Sequence, residues 1–322
     1  MPDSSTQPFL ADDCPTHRVG PIDVRFDTPD REALTDLAAM YRHLQLDHPT
    51  ATSPDRQTVT LAARPQRHRW RNAIPTPLTR WAITANDTPM FDQLPRAALV
   101  PYLDWAVNWR IIDTLDRWLL LHAGTVSRPG PSGTQGLLLA AASGSGKSTL
   151  TAALVAAGWS LMSDEFGAID TVTRHLQPIP KPMCVKAGSF PPVEAMGLPI
   201  RTGRHYIKAF KGQVGYVTPA DLADAGHPAP FATESAPLSA IVFPQRIAGH
   251  RLTVEPVAPA DAAFRLARHA FNRHKHPDGA MPLLLDLCNT TTCLSLTYGE
   301  ATDATRRLPE HFAESLAHRA AA

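Results

Sequence analysis

The chain has 322 residues, of which 43% are hydrophobic and 19% are charged, so it can form a buried core and is neither disordered nor fibrous. Its 31 Lys and Arg residues balance 30 Asp and Glu residues, and the formal net charge of +1 does not indicate a nucleic acid partner. This length fits one large domain or two modest ones.

Neither the start of the chain nor its apolar segments indicate export or a membrane. Residues 1–13 (MPDSSTQPFLADD) have no basic start and no apolar stretch, unlike a signal peptide. The longest apolar runs are far shorter than the roughly 20 residues that span a bilayer. We therefore expect a soluble, cytoplasmic protein. Its four cysteines form no CxxC pair and are expected to be reduced: Cys14, Cys184, Cys288 and Cys293.

The first third of the chain predicts a small α+β unit. Asp30 precedes helical apolar spacing and is the expected N-cap of a helix that extends to Leu46. A second, mostly helical segment covers residues 94–117, with Pro101 expected to break or restart it. Three segments have the pattern of strands: Pro21–Phe26, Thr58–Ala62 and Trp81–Thr84.

Strands and helices alternate in the rest of the chain, which predicts an α/β domain. Two apolar strands, Trp118–Val126 and Leu137–Ala142, flank a turn-rich segment, and a helix starts at Lys147. The sequence thus predicts a smaller N-terminal α+β domain over residues 1–115 and a second domain over residues 116–322. The later predicted elements are strands at Gly158–Ser163, Ala240–Phe243 and Leu252–Val257 and a helix at Pro259–Arg273.

One motif indicates a specific chemistry. The loop 141–148 (AASGSGKS) follows a strand and precedes an Ala- and Leu-rich helix, which is the setting of a Walker A phosphate-binding loop, or P-loop. Backbone N–H groups of such a loop surround phosphate oxygens, Lys147 reaches the β- and γ-phosphates, and the Ser148 hydroxyl ligates Mg²⁺. Ala141 replaces the usual first glycine. The predicted nucleotide-binding residues are Ser143, Gly144, Ser145, Gly146, Lys147, Ser148 and Thr149.

Two acids follow the next predicted strand. A helix of about ten residues after the loop descends about 15 Å, and a five-residue strand climbs back about 16 Å. Asp164 and Glu165 are therefore expected at the loop's edge of the sheet, where they suit a base for an incoming hydroxyl and an Mg²⁺ ligand. His122 ends the strand before the turn-rich segment and approaches the phosphates if that strand neighbours Leu137–Ala142.

Several segments together resemble the HPr kinase/phosphorylase superfamily, and more closely its branch of HPr-kinase-related kinases of the A type. The resemblance covers roughly residues 90–300, and the phosphate loop is its least discriminating part. The segments are HAG (122–124), ASGSGKST (142–149), GWSLMSDEF (158–166), LDWAVNWRI (103–111), KGQVGYVTP (211–219), IVFPQRIAG (241–249) and AFRLARHAFN (263–272).

The resemblance implies a P-loop-containing, HPr-kinase-like C-terminal domain that uses ATP and Mg²⁺ to phosphorylate a serine hydroxyl on a small protein or peptide. It implies that Asp164 is the catalytic aspartate, Glu165 the adjacent acid near the metal, and His122 the histidine near the transferred phosphate. Glu165 replaces the second aspartate of the family's pair. The phosphorylase-associated signature is not recognisable in Pro180–Phe190, so reverse phosphorolysis is not implied.

Two stretches are rich in basic residues. Residues 173–213 contain seven Lys or Arg residues against Glu194 alone, and their loops can close over ATP or receive an acidic substrate. A solvated basic face is the other interpretation of both stretches, and no aromatic-rich nucleic-acid signature accompanies the arginines. Residues 56–86 contain no acid and six arginines: Arg56, Arg64, Arg67, Arg69, Arg71 and Arg80.

The leading hypothesis is therefore an ATP-dependent kinase that acts on a small protein or peptide. The same residues also fit a small-molecule hydroxyl kinase, and a nucleotide-binding regulator or NTPase without a phospho-acceptor. No LSGGQ-like segment occurs, which argues against a transporter ATPase. The identity of the acceptor, phosphate donors other than ATP, and the formation of a homo-oligomer are left open by the sequence.

Overall fold

Five strands near the N-terminus form one sheet in their sequence order: β1 (Thr16–Val19), β2 (Ile22–Asp27), β3 (Gln57–Gln66), β4 (Arg80–Ala85) and β5 (Thr88–Leu94). The computed structural model describes residues 14–47, 56–66, 79–130, 133–203, 206–209 and 211–308. β2 and β3 run parallel, and all other neighbouring strands of this sheet are antiparallel. The three strands predicted for this region are confirmed, and β1 and β5 are additional.

Two helices accompany this sheet. α1 (Arg31–Tyr41) begins at its predicted cap, because the Asp30 carboxylate accepts a hydrogen bond from the Ala33 N–H at 3.1 Å. It ends before Leu46, the expected end. α2 (Leu99–Thr114) begins after a short 3₁₀ turn. Pro101 was expected to break or restart this helix. It does not break α2 but lies in its first turn, where a backbone N–H would have no partner within the helix.

The remaining strands build two further sheets. In the larger sheet the strand order is β10-β9-β6-β7-β14-β16-β15, and β8 pairs with β6. The smaller sheet has the order β11-β13-β12. The strands are β6 (Trp118–Gly130), β7 (Gly133–Ala140), β8 (Ser160–Ser163), β9 (Phe166–Asp170), β10 (His175–Gln177), β11 (Met183–Lys186), β12 (Ile207–Lys208), β13 (Gly212–Val217), β14 (Ala236–Arg246), β15 (Thr253–Pro256) and β16 (Thr292–Tyr298).

The centre of the larger sheet contains the predicted strand–loop–helix–strand unit. β6 is antiparallel to both β7 and β8, so β7 and β8 run in the same direction with β6 between them. α3 (Lys147–Ala156) connects them. β14 pairs in parallel with both β7 and β16, so the ends of β7 and β14 lie side by side. This arrangement brings the loop after β7 next to the residues that follow β8 and β14.

Four more helices follow in the chain: α4 (Phe190–Ala195), α5 (Pro219–Asp224), α6 (Pro259–Ala267) and α7 (Met281–Thr290). Residues 301–308 are also helical. The helix predicted from Pro259 is confirmed, although it ends at Ala267 rather than Arg273. None of the described helices is both long enough and apolar enough to cross a membrane.

The N-terminal sheet shares a buried core with part of the larger sheet. Phe26 of β2 and Leu103 of α2 belong to the same apolar cluster as Leu120 of β6, Phe166 of β9 and Tyr216 of β13. The protein is therefore a mixed α/β structure in which α2 packs against the N-terminal sheet and shares its apolar cluster with residues of β6 and β9.

Candidate functional site

The loop between β7 and α3 has a backbone that only glycine adopts easily. Gly144 and Gly146 have φ angles of 91° and 92°, in the left-handed region. A Cβ atom on Gly146 would lie 2.5 Å from the Tyr298 hydroxyl, which donates a hydrogen bond to the Gly146 carbonyl at 3.0 Å. The two glycines of the motif are thus required by geometry at this turn into α3.

The first two residues of α3 meet the first acid after β8. Lys147 is 6% exposed, its Nζ donates to the Asp164 backbone carbonyl at 2.6 Å, and it lies 4.0 Å from Asp164 Oδ1. The Ser148 hydroxyl donates to Asp164 Oδ2 at 3.2 Å. Asp164 Oδ1 is buried and accepts no hydrogen bond from any described residue. A cation, a hydroxyl and a carboxylate thus converge at the start of α3.

A tight turn between β8 and β9 places the two acids. The Ser163 hydroxyl accepts hydrogen bonds from the backbone N–H groups of Glu165 (3.3 Å) and Phe166 (3.0 Å). This side-chain contact holds the turn in one conformation, so Asp164 and Glu165 stay at the edge of the sheet. The predicted return of the chain to the loop is confirmed by the contacts of Asp164 with Lys147 and Ser148.

His122 lies on β6 beside the second acid. Its Nε2 is 3.8 Å from Glu165 Oε1, and its backbone N–H donates to the His269 carbonyl at 2.7 Å. Its ring also lies against that of Phe271, at 5.6 Å between centroids. The sequence predicts that His122 approaches the loop if its strand neighbours the strand before the loop. The structure meets this condition, because β6 pairs with β7.

Burial and charge move the pKa values of these three groups in different directions. Burial raises the pKa of Asp164 to about 6, although Lys147 opposes the shift. Burial and the charge of Lys147 lower the pKa of His122 to about 4, so its ring is neutral at pH 7. Burial would also raise the pKa of Glu165, but Lys147, His122 and Lys211 together lower it. Glu165 is therefore a carboxylate at pH 7, and Asp164 titrates closest to neutrality.

All but one of the residues predicted for the site line a single cleft with a volume of about 200 Å³. The exception is Ser145, whose hydroxyl donates to the Ala142 carbonyl at 2.8 Å within the loop. The predicted residues that line the cleft are His122, Ser143, Gly144, Gly146, Lys147, Ser148, Thr149, Asp164 and Glu165.

Three basic residues line the same cleft from other strands. Lys186 ends β11 and donates from Nζ to the Ser143 hydroxyl at 3.3 Å, and Lys211 directly precedes β13. Both belong to the basic stretch 173–213. The sequence indicates that the loops of this stretch are candidates to lie near the site. Arg246 ends β14, and the residue patterns gave no separate signal for it. These residues make one wall of the cleft strongly positive.

A smaller cavity touches the cleft on the side of α2. Its volume of about 10 Å³ holds one water-sized group. It is lined by Asp104, Asn108, Asp164, Glu165, Lys181, Pro182, Cys184 and Lys208. Asn108 Oδ1 is buried without a hydrogen-bond partner in the part of the chain that the structure describes. Sequence reasoning missed this wall, because α2 lies in the other predicted domain.

A buried ion pair holds this wall in place. Lys181 Nζ donates to the Asp104 carboxylate and to the Tyr41 hydroxyl, and Tyr41 donates to Asp104 Oδ1 at 2.6 Å. The three residues join α1 and α2 to the segment that leads into β11. The contact therefore links the N-terminal helices to the strand that carries Cys184 and Lys186.

The described arginines of the first basic stretch do not line the cleft. Arg56 donates to the Gly20 carbonyl at 2.8 Å, and Arg64 pairs with Asp27 on the N-terminal sheet. Three arginines of this stretch lie outside the described residues: Arg67, Arg69 and Arg71. The four cysteines form no disulfide with one another, as predicted.

The oxygen atoms at the start of α3 and after β8 suit an Mg²⁺ ion that is also coordinated by a phosphate-bearing ligand. Among residues 14–308 with the gaps stated above, no group of three or more His, Cys, Asp or Glu side chains forms a metal cluster. Mg²⁺ needs few protein ligands when phosphate oxygens and waters complete its octahedron. The Ser148 hydroxyl and Asp164 Oδ2, which lie 3.2 Å apart, are oxygen donors of that kind.

Comparison with known proteins does not assign the chain to a family. No protein-family model matches the chain, and no curated protein is significantly similar to it. The geometry of the cleft and the sequence motifs are therefore the basis for assigning a function.

Proposed function

We propose that the protein is an ATP-dependent kinase that transfers the γ-phosphoryl group of ATP to a serine hydroxyl on a small protein or peptide, in a P-loop-containing, HPr-kinase-like domain. The observation that carries the proposal is the meeting of Lys147, Ser148 and Asp164 at one end of the cleft. A phosphate-binding cation, a metal-binding hydroxyl and a base are the groups that phosphoryl transfer requires together.

The loop and Lys147 account for phosphate binding. The N-terminus of α3 directs backbone N–H groups and the positive end of its dipole towards the cleft. Lys147 is held extended by its hydrogen bond to the Asp164 carbonyl, so it faces the cleft in one position. Lys186, Lys211 and Arg246 add positive charge around the same space. Four cations around a cleft of this size favour a polyanion such as a triphosphate.

Asp164 accounts for the handling of the acceptor. Oδ2 accepts a hydrogen bond from Ser148, whereas Oδ1 accepts none from the described residues and can take the hydroxyl proton of an acceptor. The acceptor oxygen forms a bond to the γ-phosphorus while the bond to the bridging oxygen of ADP breaks, and the proton passes to Oδ1. Ser148 and the acid pair would supply the protein oxygens for an Mg²⁺ ion, which would neutralise the developing phosphate charge.

The second acid and His122 complete the acceptor end of the cleft. Glu165 stays charged and His122 stays neutral at pH 7, so His122 can donate or accept a hydrogen bond without adding charge. We assign Glu165 to the metal and His122 to the position of the transferred phosphate, as the resemblance implies.

A serine on a polypeptide is favoured by the resemblance to HPr-kinase-related kinases and by the basic wall. Lys186 at the end of β11 and Lys211 directly before β13 both line the cleft, where acidic residues that flank an acceptor serine would meet them. The alternatives are a small-molecule hydroxyl kinase and a nucleotide-dependent regulator. Both would bind the triphosphate at the same loop, but the first would phosphorylate a small molecule and the second would have no phospho-acceptor.

The test is a phosphoryl-transfer assay with ATP labelled in the γ-phosphate. The labelled ATP is offered together with a randomised peptide library that has serine at its centre, a matched library with alanine there, and a set of small hydroxyl compounds. We expect label in the serine library alone. Label only in the small compounds would indicate a metabolite kinase, and label only in inorganic phosphate would indicate an NTPase.

A further inference from the structure

We infer that a second cavity, next to the cleft, binds the nucleoside part of the nucleotide, an inference that rests on the proposed function. This nucleoside cavity has a volume of about 190 Å³, close to that of the cleft itself. It is lined by Thr149, Pro192, Ala195, Met196, Arg246, Glu300, Ala301 and Thr302.

The nucleoside cavity opens from the end of the cleft that lies away from the acids. Thr149 and Arg246 line both spaces, whereas Lys147, Asp164 and His122 line the cleft alone. A terminal phosphate that is bound by Lys147 lies at the acid end. The rest of the polyphosphate chain then passes Thr149 and leads into the nucleoside cavity.

Arg246 lines both the cleft and the nucleoside cavity, and some of its N–H donors are free to bind a ligand. Its backbone N–H donates to the Ser145 carbonyl at 2.9 Å, and its Nε donates to the Gly299 carbonyl at 3.2 Å. The terminal guanidinium N–H groups have no partner among the described residues. A planar cation that is held at Nε and free at its terminal N–H groups is suited to contact a phosphate and to stack on a base.

The lining has the chemistry of a site for a flat ring with polar edges. Pro192 and Ala195 of α4 and Met196, which directly follows it, provide apolar contact. On the other side the carboxylate of Glu300 is exposed and has no described partner, so it can accept hydrogen bonds from ribose hydroxyls or from an exocyclic amine. The same charge would repel a second phosphate group, which argues against an anionic occupant.

α4 is anchored to the phosphate loop's helix, so the two spaces keep their relative positions. The Thr149 hydroxyl donates to the Ser189 hydroxyl at 3.4 Å, directly before α4. α3 and the segment that forms one wall of the nucleoside cavity are thereby joined at the point where the two spaces meet. The cleft and the nucleoside cavity therefore lie side by side, with Thr149 and Arg246 between them, as a triphosphate and its nucleoside require.

The experiment compares ATP with inorganic tripolyphosphate, both with Mg²⁺, by calorimetric titration of wild type and Ala195→Trp. Ala195 is exposed, so the indole can fill the nucleoside cavity without entering the core. We expect Ala195→Trp to weaken ATP binding about tenfold or more, the effect of losing one stacked base, and to leave tripolyphosphate binding unchanged. Ala223→Trp, at an exposed alanine of α5, is the matched control and should bind both as wild type does.

The outcomes separate the two proposals. If Ala195→Trp binds ATP as tightly as wild type, or loses ATP and tripolyphosphate equally, the nucleoside cavity is misassigned while the phosphate site stands. If wild-type protein binds neither ATP nor tripolyphosphate, the proposed function itself fails.

Discussion

The two oxygens of Asp164 have different surroundings, and this difference determines what the residue can do. Oδ2 accepts a hydrogen bond from Ser148, the residue assigned to Mg²⁺, and Oδ1 is buried and accepts no hydrogen bond from the described residues. The sequence assigned Asp164 to the acceptor and Glu165 to the metal from their order along the chain. The structure adds that Ser148 contacts Asp164 and not Glu165 among the described hydrogen bonds, so Asp164 also lies on the metal side.

Replacing Asp164 by Asn keeps the shape of the side chain and removes its charge. We expect turnover to fall by about 10²–10⁴, the usual contribution of a positioned base, while ATP binds nearly as in wild type at saturating Mg²⁺. Turnover is measured as phosphoryl transfer to the serine library, and Asp303→Asn, at an exposed aspartate paired with Arg306, is the control.

The neighbouring acid distinguishes the two roles. Glu165→Gln should raise the Mg²⁺ concentration needed for activity, because a charged oxygen ligand is lost. If Asp164→Asn turned over normally while Glu165→Gln were inactive at saturating Mg²⁺, the roles of the two acids would have to be exchanged.

The pH dependence of the reaction follows from the raised pKa of Asp164. A carboxyl with a pKa of about 6 is protonated below that pH and cannot accept the hydroxyl proton. We therefore expect kcat/KM to fall as the pH drops through about 6. This fall in kcat/KM near pH 6 should persist in the variant His122→Gln. Burial lowers the pKa of His122 to about 4, so its ring is already neutral at pH 6. A limb that disappears in His122→Gln would assign the titration to the histidine instead.

At the scale of single elements, the sequence predicted the parts of the site that are local. The β7–loop–α3 unit, the strand before Asp164 and the cap of α1 all depend on residues within one short segment, and all three are found. The start of α2 was misjudged, because the position of Pro101 within the first turn decides whether a proline breaks a helix. The residue spacing within one segment does not show in which turn of the helix Pro101 lies. Nor does it show that Arg246 lines the cleft.

Non-local residues of the site were less predictable for a physical reason. Lys186, Lys211 and Arg246 meet the loop because β14 pairs with β7 and because β11 and β13 pair with each other. Strand order is set by packing between segments that are far apart in the chain. Patterns within one segment therefore indicated basic stretches but not which members of them face the cleft.

Breaking the ion pair between Asp104 and Lys181 tests the link from α2 to the cleft wall. Both side chains are buried, and Asp104→Asn leaves a buried ammonium without its partner charge. We expect the free energy of unfolding in urea to fall by about 3–5 kcal/mol. An exposed pair is the comparison, since Asp303→Asn should cost less than about 1 kcal/mol. Equal losses at the two pairs would contradict a role for the buried pair in stability.

For the molecule as a whole, the shared core makes stability sensitive to acid. His17 is 1% exposed and packs between the rings of Phe26 and Tyr41, and burial lowers its pKa to about 4. Burial lowers the pKa of His43 similarly. Because the unfolded chain binds these protons near pH 6.5, stability is lost as the pH falls from about 6.5 towards 4. Asp164, with its raised pKa, opposes this loss over part of the same range.

The variant His17→Phe isolates one contribution. It keeps an aromatic ring in the same packing and removes the titrating group, so the loss of stability between pH 6.5 and 4 should shrink by up to about 3 kcal/mol. The free energy of unfolding is measured in urea at several pH values in this range. An unchanged pH dependence would show that His17 is not buried in its neutral form.

The binding of nucleotide through Lys147 tests the central claim most directly. Lys147→Ala removes the buried ammonium at the start of α3, whereas Arg251→Ala removes one exposed positive charge at a position that does not line the cleft. Titration with a fluorescent ATP analogue and Mg²⁺ should show affinity about tenfold to a hundredfold weaker for Lys147→Ala and unchanged for Arg251→Ala. Wild-type affinity in Lys147→Ala would contradict the assignment of the loop to phosphate.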